Sequence, residues 1–222
     1  MSSGAAQPQI GRGWSRCKTM FSPNIVGRDT FVSSAVPTEV RGGTNYSGVT
    51  LEVGANKTIS PGTSPGSLAS AGQTWTDGGS YNFQVLDATG SAGAGFDTIE
   101  VTGALDLSGL GVGQFDINLW SLSSIGPDMD GNATNFNNLT NYSWQILSTT
   151  TGITGFNSNQ FDINTAAVNG TSGFSNPLGG GVFSIREDSD NLFLDFTAVP
   201  EPGTWALVGL GLAVTLLRKR RR

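Results

Sequence analysis

Asp97, Glu100, Asp106 and Asp116 are the carboxylates that could be nominated in pairs for acid–base work on a glycosidic bond. Asp97 and Glu100 stand three apart on a period-two segment, so they fall on opposite faces of a strand. Acids on outer strand faces are ordinarily solvated, and all four are read that way. Asp128-Met129-Asp130-Gly131-Asn132 sets short oxygen side chains around a glycine turn, as calcium loops do. It lacks the spacing and closing Glu of an EF-hand, and reads as a polar surface loop. Glu187-Asp188-Ser189-Asp190-Asn191 reads as a hairpin turn ahead of a strand. Gly93-Ala94-Gly95-Phe96-Asp97 matches a single G-x-G-x-D unit, whereas calcium-binding β-rolls need adjacent rungs. No metal and no cofactor are expected. Trp75, Trp120 and Trp144 would bind sugar rings if they lay in one exposed row. Their alternation with polar residues favours packing in the core or at a rim.

The chain has no histidine and one cysteine, Cys17. That removes Ser-His-Asp and Cys-His catalysis, His-ligated zinc and any intrachain disulfide. Cys17 is read as incidental and the protein as non-enzymatic. Asn132-Ala133-Thr134, Asn138-Leu139-Thr140 and Asn141-Tyr142-Ser143 match glycosylation acceptors, as chance would produce in an Asn/Thr-rich stretch.

The elements that must position these residues are strands. Period-two alternation marks Val49–Val53, Tyr81–Val85, Thr98–Gly103, Ala104–Ser108, Phe115–Leu119, Tyr142–Leu147, Phe161–Ile163, Val182–Ile185 and Asn191–Phe196. Two Pro-Gly pairs, Pro61-Gly62 and Pro65-Gly66, fit type II turns. No segment before 204 has a helical period. The expected fold is all-β, a β-solenoid or sandwich body, with one C-terminal transmembrane helix. Three regions follow: a low-order segment 1–43, a β-rich extracellular body 44–198 and a tail 199–222.

Charge is divided between these regions. Residues 1–41 carry five basic and two acidic side chains, whereas 42–217 carry two basic and fifteen acidic, a net of −13. So acidic a body repels phosphate, and no nucleic-acid partner is expected.

The tail has three parts. Pro200, Glu201 and Pro202 form an extended, accessible turn, because each proline lacks a donor and biases its predecessor away from helix. Thr204 to Leu217 is uncharged, with Trp205, Leu207, Val208, Leu210, Leu212, Val214, Leu216 and Leu217 as its apolar surface. As a helix this run would be about 21 Å long, short of the ~30 Å hydrocarbon core. Arg218, Lys219, Arg220, Arg221 and Arg222 then hold the cytoplasmic side, placing the body outside.

In the order of its Pro-Glu-Pro, apolar run and basic cluster, the tail resembles the PEP-CTERM sorting signal of Gram-negative bacteria. The resemblance implies recognition and processing by an exosortase, a membrane protease-transpeptidase. It also implies transient residence in the inner membrane, and an exopolysaccharide-making host whose polymer is a candidate partner. A secreted chain should open with an apolar signal. Met1 to Gly43 has apolar pairs only, such as Ile25-Val26, so a fragment or a misplaced start is expected.

Residues 59–108, through Ser60-Pro61-Gly62-Thr63-Ser64-Pro65-Gly66, Tyr81–Val85 and Gly95–Gly103, resemble the end of an autotransporter-associated β-strand repeat region. That implies a right-handed β-helix of in-register rungs over an aliphatic interior, followed by a strand-rich cap. The functional expectation is an exported surface or matrix protein. The alternatives are a carbohydrate-binding module and, behind it, a polysaccharide-active enzyme.

Overall fold

The computed structural model describes residues 39–41, 46–62, 64–124, 129–168 and 171–199. Strands are numbered in chain order, and the chain deals them alternately into two sheets. The first sheet runs β1 (Glu39–Arg41), β3 (Thr58–Ser60), β5 (Ser80–Val85), β8 (Phe115–Ser124), β12 (Phe161–Asn164), every pair parallel. A short β9 (Met129–Asp130) lies antiparallel on β8. The second sheet begins with β2 (Tyr46–Val53) and β4 (Ser67–Trp75). It continues through β6 (Thr98–Val101) with β7 (Leu105–Asp106), then β10 (Tyr142–Thr149) with β11 (Ile153–Thr154), still parallel. It closes on an antiparallel hairpin, β13 (Val182–Asp188) and β14 (Asn191–Thr197), with β14 on β10.

Parallel neighbours normally need a long crossover. Here a strand of the opposite sheet is the crossover, so each pass of the chain adds a rung to both sheets. Register then places like residues above one another. Ile59, Tyr81, Ile117 and Ile163 form one inward column, and Leu68, Ile99, Leu147 and Leu192 another. Every alternating segment read from the sequence contains a strand, although Thr98–Gly103 keeps it only to Val101 and Ala104–Ser108 only at Leu105–Asp106, and β1 lies ahead of residue 44. Among the described residues the single helical element is a 3₁₀ turn, Ser158–Gln160, and no helix is long and apolar enough to cross a membrane. The apolar run 204–217 lies outside the described residues.

The interior is more aromatic than an aliphatic β-helix core. Trp75 and Phe115 stack with ring centroids 4.3 Å apart, and Phe161 meets both edge-on. Tyr81, Phe83 and Trp144 fill the next layers. Their polar atoms are matched. Trp75 Nε1 donates to Gln73 Oε1 at 2.8 Å, Gln73 Nε2 to Ser70 Oγ, and Trp144 Nε1 to the Ala88 carbonyl. A bulge in β10 leaves both Ile146 and Leu147 buried, and the Tyr81 hydroxyl donates to the Ile146 carbonyl. Burial, with a smaller contribution from the Asp97 charge, holds the Tyr81 phenol well above its ordinary pKa. It therefore remains a neutral donor.

Two buried polar side chains fix the corners. Gln160 donates from Nε2 to the carbonyls of Leu107, Leu110 and Gly155, and its Oε1 accepts the Asn157 N–H. It joins the turns of two successive rungs. Beside it Gly155 has φ 73°, and a Cβ there would stand 2.5 Å from Ser108 Cα, so only glycine fits. At the opposite corner the fully buried Asp97 carboxylate accepts the Gly66 N–H at 2.7 Å and the Gln84 N–H at 2.8 Å. The first expected type II turn includes Thr63, which lies outside the described residues. At the second, Ser64 takes φ 51° and precedes a cis peptide to Pro65.

Replacing Asp97 by Ala would strand two buried backbone donors. Asp97→Ala should lower unfolding free energy by about 2–5 kcal/mol, read by urea denaturation of the folded body. An unchanged midpoint would show that the corner does not need the carboxylate.

Candidate functional site

The hairpin β13–β14 delivers the chain to its tail. β14 ends at Thr197, and the next N–H, of Ala198, donates to Asn141 Oδ1 at 2.8 Å. The body is therefore tied down to Ala198, two residues short of Pro200. Pro200, Glu201 and Pro202, the apolar residues Trp205 to Leu217 and the basic cluster Arg218 to Arg222 lie outside the described residues.

The nominated carboxylates are dispersed. Asp97 is not a solvated outer-face acid; it is a buried acceptor for two backbone amides, which corrects the sequence reading. Glu100 is exposed on the outside of the second sheet. Asp106 sits in the second sheet, where Ser108 holds its carboxyl below the ordinary range by hydrogen bonds from side chain and backbone. Asp116 lies in the first sheet. None of these pairs converges.

The register instead brings together two acids whose pairing the sequence reading missed, Asp116 and Asp162, aligned on β8 and β12. Burial first, and the neighbouring Asp162 charge second, push the Asp116 carboxyl above its ordinary value. The same outer face carries a column of asparagines. Asn118 Nδ2 donates to Asn82 Oδ1 at 2.9 Å, and Asn164 Nδ2 to Asn118 Oδ1 at 3.2 Å. The repeated Phe-Asp-Ile-Asn at 115–118 and 161–164 was the available signal, since identical tetrapeptides in successive rungs stack identical residues.

The tryptophans form no platform. Trp75 and Trp144 are in the core, and Trp120 is half-buried with its Nε1 donating to Asp130 Oδ1 at 2.7 Å. Asp130 also accepts Ser172 Oγ. Asp128 lies outside the described residues, and among those described no group of three potential ligands converges for a metal. Glu187 to Asn191 is the expected hairpin turn, with Ser189 at φ 58°. On the outside of the second sheet is an open groove of about 280 Å³, lined in part by Thr98, Glu100, Thr102, Gln145 and Thr150.

Comparison with known proteins bears on the tail. Residues 198–222 match the model of the PEP-CTERM protein-sorting motif. The match implies exosortase processing, a C-terminus anchored in the membrane before that step, and an exported, cell-envelope protein. No curated protein and no solved structure matches the chain, and none of the comparisons supports the autotransporter-associated resemblance.

The Asp116–Asp162 pair predicts a pH dependence. A carboxyl whose folded pKa is raised binds its proton more tightly when folded. Its stabilising contribution is present below the unfolded value and lost as pH rises through the folded one. Asp116→Asn removes that penalty, so it should stabilise the body at pH 7 by roughly 0.2–1 kcal/mol, the range of a cross-strand pair. The gain should shrink below pH ~4, where Asp carboxyls protonate. Denaturation midpoints at both pH values check it, and an equal gain at both would remove the charge explanation.

Proposed function

We propose that the chain is an exported, non-enzymatic surface or matrix protein. Its body is a capped β-solenoid, and its tail is cut by an exosortase at or near Pro200-Glu201-Pro202. The carrying observation is the sorting motif at 198–222, directly behind a body tied down as far as Ala198. Support for the solenoid reading comes from the parallel rungs in both sheets and the antiparallel hairpin that ends one of them. The dispersal of the nominated pairs, Asp97 with Glu100 and Asp106 with Asp116, favours a role without hydrolysis. The apolar run 204–217 acts as the transient inner-membrane anchor, and Arg218 to Arg222 as its cytoplasmic stop.

A second reading, glycan binding, draws on the groove beside Glu100. Hydroxyl, amide and carboxylate groups there offer donors and acceptors in a row. Retention of the full chain on the host's exopolysaccharide, abolished by Glu100→Ala with Gln145→Ala, would favour it.

The principal test uses a host with an exosortase and a chain given a secretion signal. The parent should lose its tail and leave the membrane fraction. Replacing Pro200, Glu201 and Pro202 together by Ala should leave it uncleaved and membrane-bound. Release of that triple variant at the parental rate would make the tail a plain anchor.

A further inference from the structure

Among the described residues the large apolar side chains left exposed are Val112, Leu139, Val182 and Val199, at 74, 56, 59 and 44%. Three of these four belong to one place, the corner from which the chain leaves for its tail. Val182 opens β13 and pairs with Thr197, the last residue of β14. The loop bearing Leu139 lies alongside: Asn141 accepts the Ala198 N–H, and Phe136 packs on Phe196 at 5.0 Å. Asn138 stands against Gly179, three residues before Val182. Val112 belongs to the turn between β7 and β8, at the opposite corner of the rungs.

Charge follows the same division. From Gly131 to Ile185 the only charged side chain is Asp162, in a region otherwise so acidic that 42–217 has a net charge of −13. Both loops of the exit corner, 131–141 and 165–181, are uncharged. The carboxylates beside them are engaged, Asp87 by Asn135 and Thr89, Asp130 by Trp120 and Ser172, and Asp195 by Arg186 and Ser143. Exposed Asp77, Asp188 and Asp190 sit at the far corner, in the turns that enter or leave strands there.

Tether length completes the argument. Val199 and Thr204, where the apolar run starts, are five residues apart, at most about 18 Å of extended chain. A body so closely held must turn some face to the bilayer. Anionic headgroups repel carboxylates and favour a neutral face with exposed apolar side chains.

We propose that the uncharged corner carrying Leu139, Val182 and Val199 rests on the lipid interface while the chain is still anchored, holding the Pro-Glu-Pro turn at the membrane surface. This inference rests on the anchor reading of residues 204–217. The occupant is lipid, and cleavage of the tail removes the tether that keeps this corner there.

The test uses the full chain in which Cys17→Ser removes the native thiol, with single Leu139→Cys, Val182→Cys or Val112→Cys changes carrying an environment-sensitive fluorophore. Each is reconstituted into vesicles of phosphatidylethanolamine and phosphatidylglycerol. Probes at 139 and 182 should shift to shorter wavelength and lose most of their quenching by aqueous iodide, while the probe at 112 stays fully quenched. All three positions are exposed, so folding is not at stake, and circular dichroism of each variant verifies it. If the chain is membrane-integrated but 139 and 182 quench like 112, the docking is wrong and the sorting assignment survives. A chain that stays in the aqueous phase overturns both docking and anchor. Protection that persists in detergent alongside a dimeric mass assigns the corner to a second copy and overturns the lipid assignment.

Discussion

Each residue in a parallel in-register stack must tolerate its counterpart one rung away, at roughly 4.8 Å. The body is organised by that rule. Ile59, Tyr81, Ile117 and Ile163 satisfy it as an apolar column, and Asn82, Asn118 and Asn164 satisfy it as a chain of side-chain amides, each donating to the next. Asp116 and Asp162 obey the register against their own electrostatics. The asparagine column runs beside them and donates into the same neighbourhood: Asn164 hydrogen-bonds Asp116 and partly offsets the repulsion.

The rule also explains what could be read from the chain before its fold was known. Strand positions were legible because apolar side chains take the inward face and polar ones the other, as at Tyr81, Phe83 and Val85 against Asn82 and Gln84, although those polar residues are buried too. The tail was legible because its three parts are contiguous and carry their physics in composition. Partnerships across rungs were not. Asp97 is separated from Gly66 by 31 residues and from Gln84 by 13, and nothing local announces that its carboxylate closes a corner. Trp75 and Phe115 are likewise 40 positions apart in the sequence, yet their rings stack at 4.3 Å. Rungs of unequal length conceal such pairs, since Thr58, Ser80, Asp116 and Asp162 align despite unequal spacing.

Aromatic filling accounts for how few rungs can hold together. A short stack buries little surface per turn. Large side chains such as Trp75, Tyr81, Phe83, Phe115 and Trp144 bury more area per residue than aliphatic ones, and their ring contacts add specificity of geometry. A second aromatic group, Phe136, Tyr142, Phe174, Phe183 and Phe196, joins the long loops to the terminal hairpin. The two groups meet at Trp144, which contacts Phe83 on one side and Tyr142 and Phe183 on the other.

The charged strand that ends the second sheet has a consequence for crowding. A parallel stack is a template, and its last strand offers the next molecule the lattice on which to crystallise. In the second sheet β14 runs against the rungs, so that last strand, β13, runs with them again, and it carries Arg186, Glu187 and Asp188 along its length. It behaves as a poisoned growth face, because an incoming strand meets fixed charge in place of an apolar or amide column. Fixed charge at this edge thus opposes fibre growth between molecules held at high local density.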